Sequence, residues 1–188
     1  MKNKCFLISG VSGVGKTTVA YEIVKKDPRV EKVITSTTRH IRPNEKDGID
    51  YSFYTKEEFK EMLNRGDFFE HVEVYGNLYG SEKKEVERIF NSGHIPLFVC
   101  DTQGIENLSQ AIQNLVTIFI VPDSLDNLRK RIEQREGSFI DDTEKRLKQV
   151  QEEMKMADSC DYKVVNKQGE LEETVNEVLN IINQELTN

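Results

Sequence analysis

Little in this chain of 188 residues points to a membrane, to nucleic acid or to an oxidising compartment. No apolar run reaches the ~20 residues that a bilayer-spanning helix needs. There is no basic excess either. Lys and Arg number 26 against 33 Asp and Glu, a formal net charge of −7. That argues against a general nucleic-acid surface, so phosphate recognition has to come from local arginine clusters. The three cysteines, Cys5, Cys100 and Cys160, show no CxxC or metal-ligand spacing. Two of them fall in apolar segments, which predicts reduced thiols in a cytoplasmic protein. Internal repeats and low-complexity linkers are missing, and 31% charged with 37% hydrophobic residues is an ordinary balance for a folded domain. The opening residues, Met1-Lys2-Asn3-Lys4, run directly into the first apolar segment, so a cleaved leader would remove the motif that follows. The length suits one α/β domain carrying a small inserted subdomain.

What is present is organised around Gly10-Val11-Ser12-Gly13-Val14-Gly15-Lys16-Thr17, which fits G-x-x-x-x-G-K-[ST] at every fixed position. An apolar run, Cys5-Phe6-Leu7-Ile8, precedes it and a helix-compatible stretch from Thr17 to Lys26 follows. Strand, loop and helix in that order are the context a phosphate-binding P-loop requires. The glycines let backbone N–H groups turn inward around a polyphosphate, and the helix N-terminus adds partial positive charge. Lys16 is placed to reach the β- and γ-phosphates, and the Thr17 hydroxyl to ligate Mg2+.

Beyond the P-loop helix, Val33 to Thr38 reads as a second strand and Arg39 to Gly48 as a polar loop. Asp50 to Tyr54 alternates as a short strand. Thr55-Lys56-Glu57-Glu58 is a capping box opening a helix through about Asn64. Phe68 to Val74 and Leu78-Tyr79 suggest strands around a Gly76-Asn77 turn. A helix from Ser81 to Ser92, a strand Ile95 to Cys100, a short helix after Asp101 and a strand Thr117 to Val121 resume the β/α alternation. Two further helices, a strand Tyr162 to Val165 and a closing amphipathic helix complete the chain. The expected fold class is α/β, a parallel sheet flanked by helices with ligands at the strand carboxyl ends. The expected division is a core of residues 1–34, 82–125 and 155–188, a mixed insertion at about 35–81 and a helical lid at about 126–154.

Several side chains could serve a second phosphate-bearing molecule. Arg39 and Arg42, with Tyr51 and Tyr79, suit a monophosphate, although they equally suit a solvated loop whose arginines pair with Glu45 or Asp47. Glu70 could accept from guanine N1 and N2, with Ser81 or Thr35 donating to O6; Ser81 also fits a helix N-cap. Asp101 stands where a carboxylate reaches Mg2+, its water or a substrate amine, or simply caps the next helix. Arg131, Arg135 and Arg146 lie on a helix–loop–helix that could close over phosphates or carry surface ion pairs.

Together these motifs resemble the guanylate kinase family. Ser36-Thr37-Thr38-Arg39-x-x-Arg42, Phe69-Glu70-His71, Gly76-Asn77-Leu78-Tyr79-Gly80-Ser81, Asp101-x-Gln103-Gly104 and Leu128-x-x-Arg131-x-x-x-Arg135 carry the resemblance, which runs from about Lys4 to the closing helix. It implies a P-loop nucleoside-monophosphate kinase fold with a GMP-binding insertion and an arginine-bearing lid. It implies transfer of the ATP γ-phosphoryl group to GMP, with dGMP a second acceptor and Mg2+ required. By resemblance, Gly10 to Thr18 and Asn166 hold ATP, Asn166 near its base. Arg39, Arg42, Tyr51 and Tyr79 hold the GMP phosphate, and Thr35, Glu70, Ser81 and Asp101 surround the guanine. Glu45 matches the glutamate of the arginine loop. Arg131, Arg135 and Arg146 lie near the transferring phosphate, and with Lys16 and Arg39 make up the catalytic set. The chain departs from the family pattern at several positions: Thr35 replaces a frequent Ser, Ile41 and Asn44 a Pro and a Gly, Val99 the first Asp of Leu-Asp-x-Asp, Pro122-Asp123-Ser124 a Pro-Pro-Ser, and Glu136-Gly137 the lid's Gly-Thr. Two other functions fit the same motifs: a related P-loop kinase of another small phosphorylated acceptor, and a non-catalytic guanylate-kinase-like interaction module. The expected partners are small molecules alone, with the chain a monomer or homodimer.

Overall fold

The computed structural model describes residues 4–43, 45–74, 76–136 and 149–187, with residues 134–136 described by backbone only. Two sheets divide the strands. The first comprises β1 (Cys5–Gly10), β2 (Val30–Lys32), β7 (Ile95–Val99), β8 (Leu115–Pro122) and β9 (Tyr162–Asn166). Its order is β2-β7-β1-β8-β9 and every pairing is parallel. The central strand β1 is buried at all six positions, as an apolar run covered on both faces must be. Helix α1 (Lys16–Lys26) contributes Val19, Ala20 and Ile23 to the core. It packs against α7 (Leu171–Thr187), which buries Thr174, Val175, Val178, Ile181 and Ile182. Each of the buried Val and Ile side chains stabilises the fold by about 1.5–3 kcal/mol through burial.

The second sheet comprises β3 (Ser36–Thr37), β4 (Ser52–Phe53), β5 (Phe68–Val74) and β6 (Asn77–Glu82), in the order β4-β3-β6-β5. The β3–β4 pair is parallel and the other two are antiparallel. Its own small core is Phe59, Met62 and Phe68, the first two from α2 (Lys56–Arg65). Phe59 and Phe68 stack with ring centroids 4.5 Å apart. The remaining helices are α3 (Lys83–Asn91), α4 (Thr102–Ala111) and α5 (Leu125–Glu136). Residues 149–155, here α6, are helical and lead into a 3-10 turn at Met156–Ser159. Among the described residues, no helix is long and apolar enough to cross a membrane.

Three elements differ from expectation. Val33 to Thr38 is not one strand: β2 ends at Lys32, and the chain leaves the first sheet to join the second at Ser36. The crossing residues keep their backbone bonds, Val33 N–H donating to Leu97 O and Thr35 O accepting from Ser52 N–H. Second, β6 runs through Ser81 to Glu82, so Ser81 pairs across the sheet and does not cap α3. Third, Leu78-Tyr79 extends into a six-residue strand, because Gly80 brings the hairpin down onto its aromatic core. A Cβ there would lie 2.8 Å from Phe68 Cδ1 and 3.0 Å from Phe59 Cζ.

Candidate active site

The chain reverses direction across the first sheet at β1: β2 and β7 lie on one side, β8 and β9 on the other. The crevice beyond the carboxyl end of such a strand is the usual ligand position in open α/β sheets. There the P-loop turns on glycines that nothing else could replace. Gly10 has φ 150°, and a Cβ on it would meet Ile120 O at 2.3 Å. Gly15, with φ 102°, leads into α1, and a Cβ there would lie 2.8 Å from Asn166 Nδ2. No side chain caps α1 and no acidic residue occupies its first turn, so its positive end is left to an anion.

Lys16 folds back over the loop. Its Nζ donates to Gly10 O at 2.7 Å and Val11 O at 3.2 Å, and lies 3.2 Å from Asp101 Oδ1. Asp101 takes the N-cap position of α4 without making the cap bond, so its carboxylate is turned to Lys16 instead. Thr17 and Thr18 are exposed at the start of α1. A hydroxyl and one carboxylate beside a phosphate cradle fit Mg2+, which keeps several waters and takes few protein ligands.

On the second sheet, Glu70 and Ser81 are register partners in β5 and β6. Both are buried, and Ser81 Oγ donates to Glu70 Oε1 at 2.8 Å. Burial pushes the Glu70 carboxyl above its ordinary range, with the Ser81 hydroxyl opposing. Strand alternation sets Tyr79 on the same face as Ser81, two residues along. Tyr79 meets Tyr51 edge-on with centroids 6.1 Å apart. Arg39 lies over the Tyr51 ring at 5.4 Å and over Phe53 at 5.7 Å. Glu45 ties this loop together: Oε1 accepts from Arg39 Nη2 at 2.8 Å and Oε2 from the Arg42 N–H at 2.9 Å. The Arg39–Glu45 pairing is thus present alongside the aromatic seat. The Arg42 residue is exposed, and Thr35 is half-buried at the crossing between the sheets.

The two sides approach each other around Cys100. Its thiol is pushed far up, first by burial and then by Glu70 and Asp101, with Lys16 opposing. Val99, which ends β7 beside Ile8, leaves Asp101 as the acid of that segment. Tyr51 is likewise raised by burial, with Tyr79 and Asp101 adding and Arg39 opposing.

Arg131, on α5, is tied to the P-loop. Its Nη1 donates to Val14 O at 3.1 Å, Nη2 to Asn166 O at 3.1 Å and Nε to Gln168 Oε1 at 2.8 Å. Arg135 falls one turn later on the same helix, its side chain outside what is described, and Arg146 and Asn44 lie outside the described residues. Asn166 is buried beneath the loop, with Nδ2 donating to Val14 O at 2.7 Å. Two contacts had no counterpart in the sequence reading. Glu153 of α6 accepts from the Ser12 N–H at 3.0 Å, and Thr174 Oγ1 donates to Asn166 Oδ1 at 3.1 Å. A polar residue within the apolar stripe of α7 was the one available signal for Thr174; Glu153 sits in an unremarkable acidic helix face.

The model of the family described as "Guanylate kinase" matches residues 2–185. The chain belongs to the guanylate kinase family. It is 36% identical over 186 residues to a guanylate kinase of Rickettsia bellii, covering 98% of this chain and 96% of that one. A guanylate kinase of Thermotoga maritima is 38% identical over 185 residues, covering 98% and 88%. A crystal structure of guanylate kinase from Anaplasma phagocytophilum superposes with a TM-score of 0.76 at 30% identity, covering 97% of this chain and 86% of that one. The fold expected from the guanylate kinase resemblance, a parallel core with a second mixed sheet, is the fold found.

Proposed function

We propose that this chain transfers the γ-phosphoryl group of ATP to GMP, giving ADP and GDP, with dGMP a second acceptor. The observation carrying this reading is the buried Glu70–Ser81 pair on the face that also presents Tyr79, whose ring meets the Arg39–Tyr51 seat. A carboxylate accepting two adjacent N–H groups recognises guanine, and a guanidinium with phenols recognises a monophosphate.

In this reading the P-loop amides and Lys16 hold the donor phosphates, and Asn166 lies close to the nucleotide they carry. Thr17 and Asp101 are the groups suited to Mg2+, which supplies charge neutralisation at the phosphate oxygens when bound. Arg39, Arg42, Tyr51 and Tyr79 hold the acceptor phosphate, Glu45 keeping Arg39 in place until it does. Glu70, Ser81, Thr35 and Asp101 surround the base. No general base is required, because a monophosphate oxygen is already anionic at neutral pH. Catalysis then rests on alignment and charge, with Lys16, Arg39, Arg131, Arg135 and Arg146 as the cationic set. The second sheet acts as the GMP-binding insertion and about 126–154 as a lid that excludes water. We infer a cytoplasmic enzyme working on small molecules, as a monomer or homodimer.

Initial rates with GMP, dGMP, AMP and UMP test the reading. GMP is expected to exceed AMP and UMP by orders of magnitude; GMP no better than AMP overturns it.

A further inference from the structure

We propose that Thr174 and Asn166 are positioning residues for the donor triphosphate, acting through the Val14 carbonyl to aim the Gly15 amide into the phosphate cradle. This rests on the loop being the donor-phosphate site and is independent of which acceptor is used.

The starting point is the planarity of the peptide group. In the trans Val14–Gly15 peptide the carbonyl and the N–H point to opposite sides, so fixing one fixes the other. The Val14 carbonyl is held by two donors: Asn166 Nδ2 at 2.7 Å and Arg131 Nη1 at 3.1 Å. Asn166, at the end of β9, is buried beneath the loop, and Arg131 reaches the same carbonyl from α5. The Gly15 N–H is thereby turned the other way, toward the concave side where a phosphate is cradled. The close approach of Asn166 Nδ2 to Gly15, 2.8 Å from where a Cβ would stand, also explains why that position has no side chain.

An asparagine amide can present either end, and only one end is useful here. Oxygen facing the Val14 carbonyl would set two acceptors against each other. The Val14 carbonyl can only accept, so it requires Nδ2, and Thr174 supports that choice from the other end: its Oγ1 donates to Asn166 Oδ1 at 3.1 Å, nearer than the alternative acceptors Val165 O at 3.3 Å and Glu170 O at 3.4 Å. Thr174 is 2% and Asn166 6% exposed, so water is poorly placed to substitute. A lone hydroxyl on the buried face of the closing helix thus reaches the phosphate site through one side-chain amide. The loop is arranged before nucleotide arrives, which lowers the cost of binding.

Thr174→Val keeps the shape and removes the hydroxyl; Thr174→Ser keeps the hydroxyl, and Thr174→Ala repeats the loss should the valine variant not fold. ADP affinity by titration calorimetry is expected to weaken about 3- to 10-fold in Thr174→Val, the worth of one buried hydrogen bond. KM for ATP should rise by the same factor with KM for GMP unchanged, and Thr174→Ser should lie within about twofold of the parent. Unchanged ADP affinity in Thr174→Val overturns the proposal. So does a parallel rise in both KM values with a lower melting midpoint, or a serine variant as weak as the valine one. Parent protein that fails to bind ADP overturns the donor-site reading and this proposal together. ADP binding without GDP formation overturns the acceptor assignment alone, and the ADP affinities of the variants still decide this proposal.

Discussion

Helices α1 and α2 begin in opposite ways. The N-terminus of α2 is closed on itself: Thr55 Oγ1 accepts from the Glu58 N–H, Glu58 reaches back to the Thr55 N–H, and Glu57 and Glu58 place negative charge in the first turn. Those bonds hold the Glu58 carboxyl below its ordinary range. At α1 there is no cap, no first-turn acid, and a left-handed glycine where a capping side chain would normally sit. The same physical demand, four unbonded N–H groups and a positive end, is met internally in one helix and left open in the other. An end left open this way marks where a ligand completes the structure. Glu45 and Glu70 make the same contrast among carboxylates. Glu45 is held low by Arg39 and the Arg42 N–H, whereas Glu70 is buried with the Ser81 side chain as its partner and pushed up.

Breaking the open end should abolish function and spare the fold. In Lys16→Ala, kcat is expected to fall about 10²–10³-fold, the usual loss for one preorganised group at a charged transition state. The melting midpoint should change far less than activity, because what is lost is two hydrogen bonds to loop carbonyls and one ion pair to the exposed Asp101 carboxylate. Unchanged ADP production in purified protein would falsify the catalytic role of the loop. Breaking the closed end should do the reverse. Thr55→Ala removes the cap and is expected to cost about 1 kcal/mol, or roughly 2–4 °C in the melting midpoint, with kcat and both KM values unaltered.

Both helix ends were legible in the sequence for the same reason: each is written in a few consecutive residues. The P-loop occupies Gly10 to Thr17 and the capping box Thr55 to Glu58, so no knowledge of tertiary contacts is needed. The order of strands, and the stripe of Val175, Val178 and Ile182, also follow from local periodicity. What was not legible depends on partners far along the chain. Val33 to Thr38 has the composition of one strand but is divided because two different sheets compete for its ends. Ser81 fits a cap by its neighbours, yet pairing with Glu70 keeps it in a strand. Arg131, read as a lid residue, is held by a P-loop carbonyl, and Glu153 and Thr174 gain meaning only once Ser12 and Asn166 are beside them. The hydrogen-bond partners of these residues came from the fold.

The smallest expected effect concerns Glu70, and its sign is diagnostic. Burial raises this carboxyl above the ordinary glutamate range, so the folded protein resists ionising it. Below that range the group is neutral in both folded and unfolded chains and carries no penalty. As the pH climbs toward the folded pKa the unfolded chain ionises first, and the folded state loses stability until Glu70 ionises too; above that the loss is constant. Glu70→Gln keeps an acceptor for Ser81 and removes the titration. Its melting midpoint should therefore exceed that of the parent at pH 8, by less than the Thr55→Ala change, with the gap closing as the pH falls below the ordinary carboxylate range. Saturating GMP should reverse the order at pH 8, because guanine N–H donors stabilise an ionised carboxylate and gain less from an amide. A variant less stable than the parent without GMP would place Glu70 among the self-satisfied carboxylates, with Glu45 and Glu58. A gap that GMP leaves unchanged would remove Glu70 from the base site.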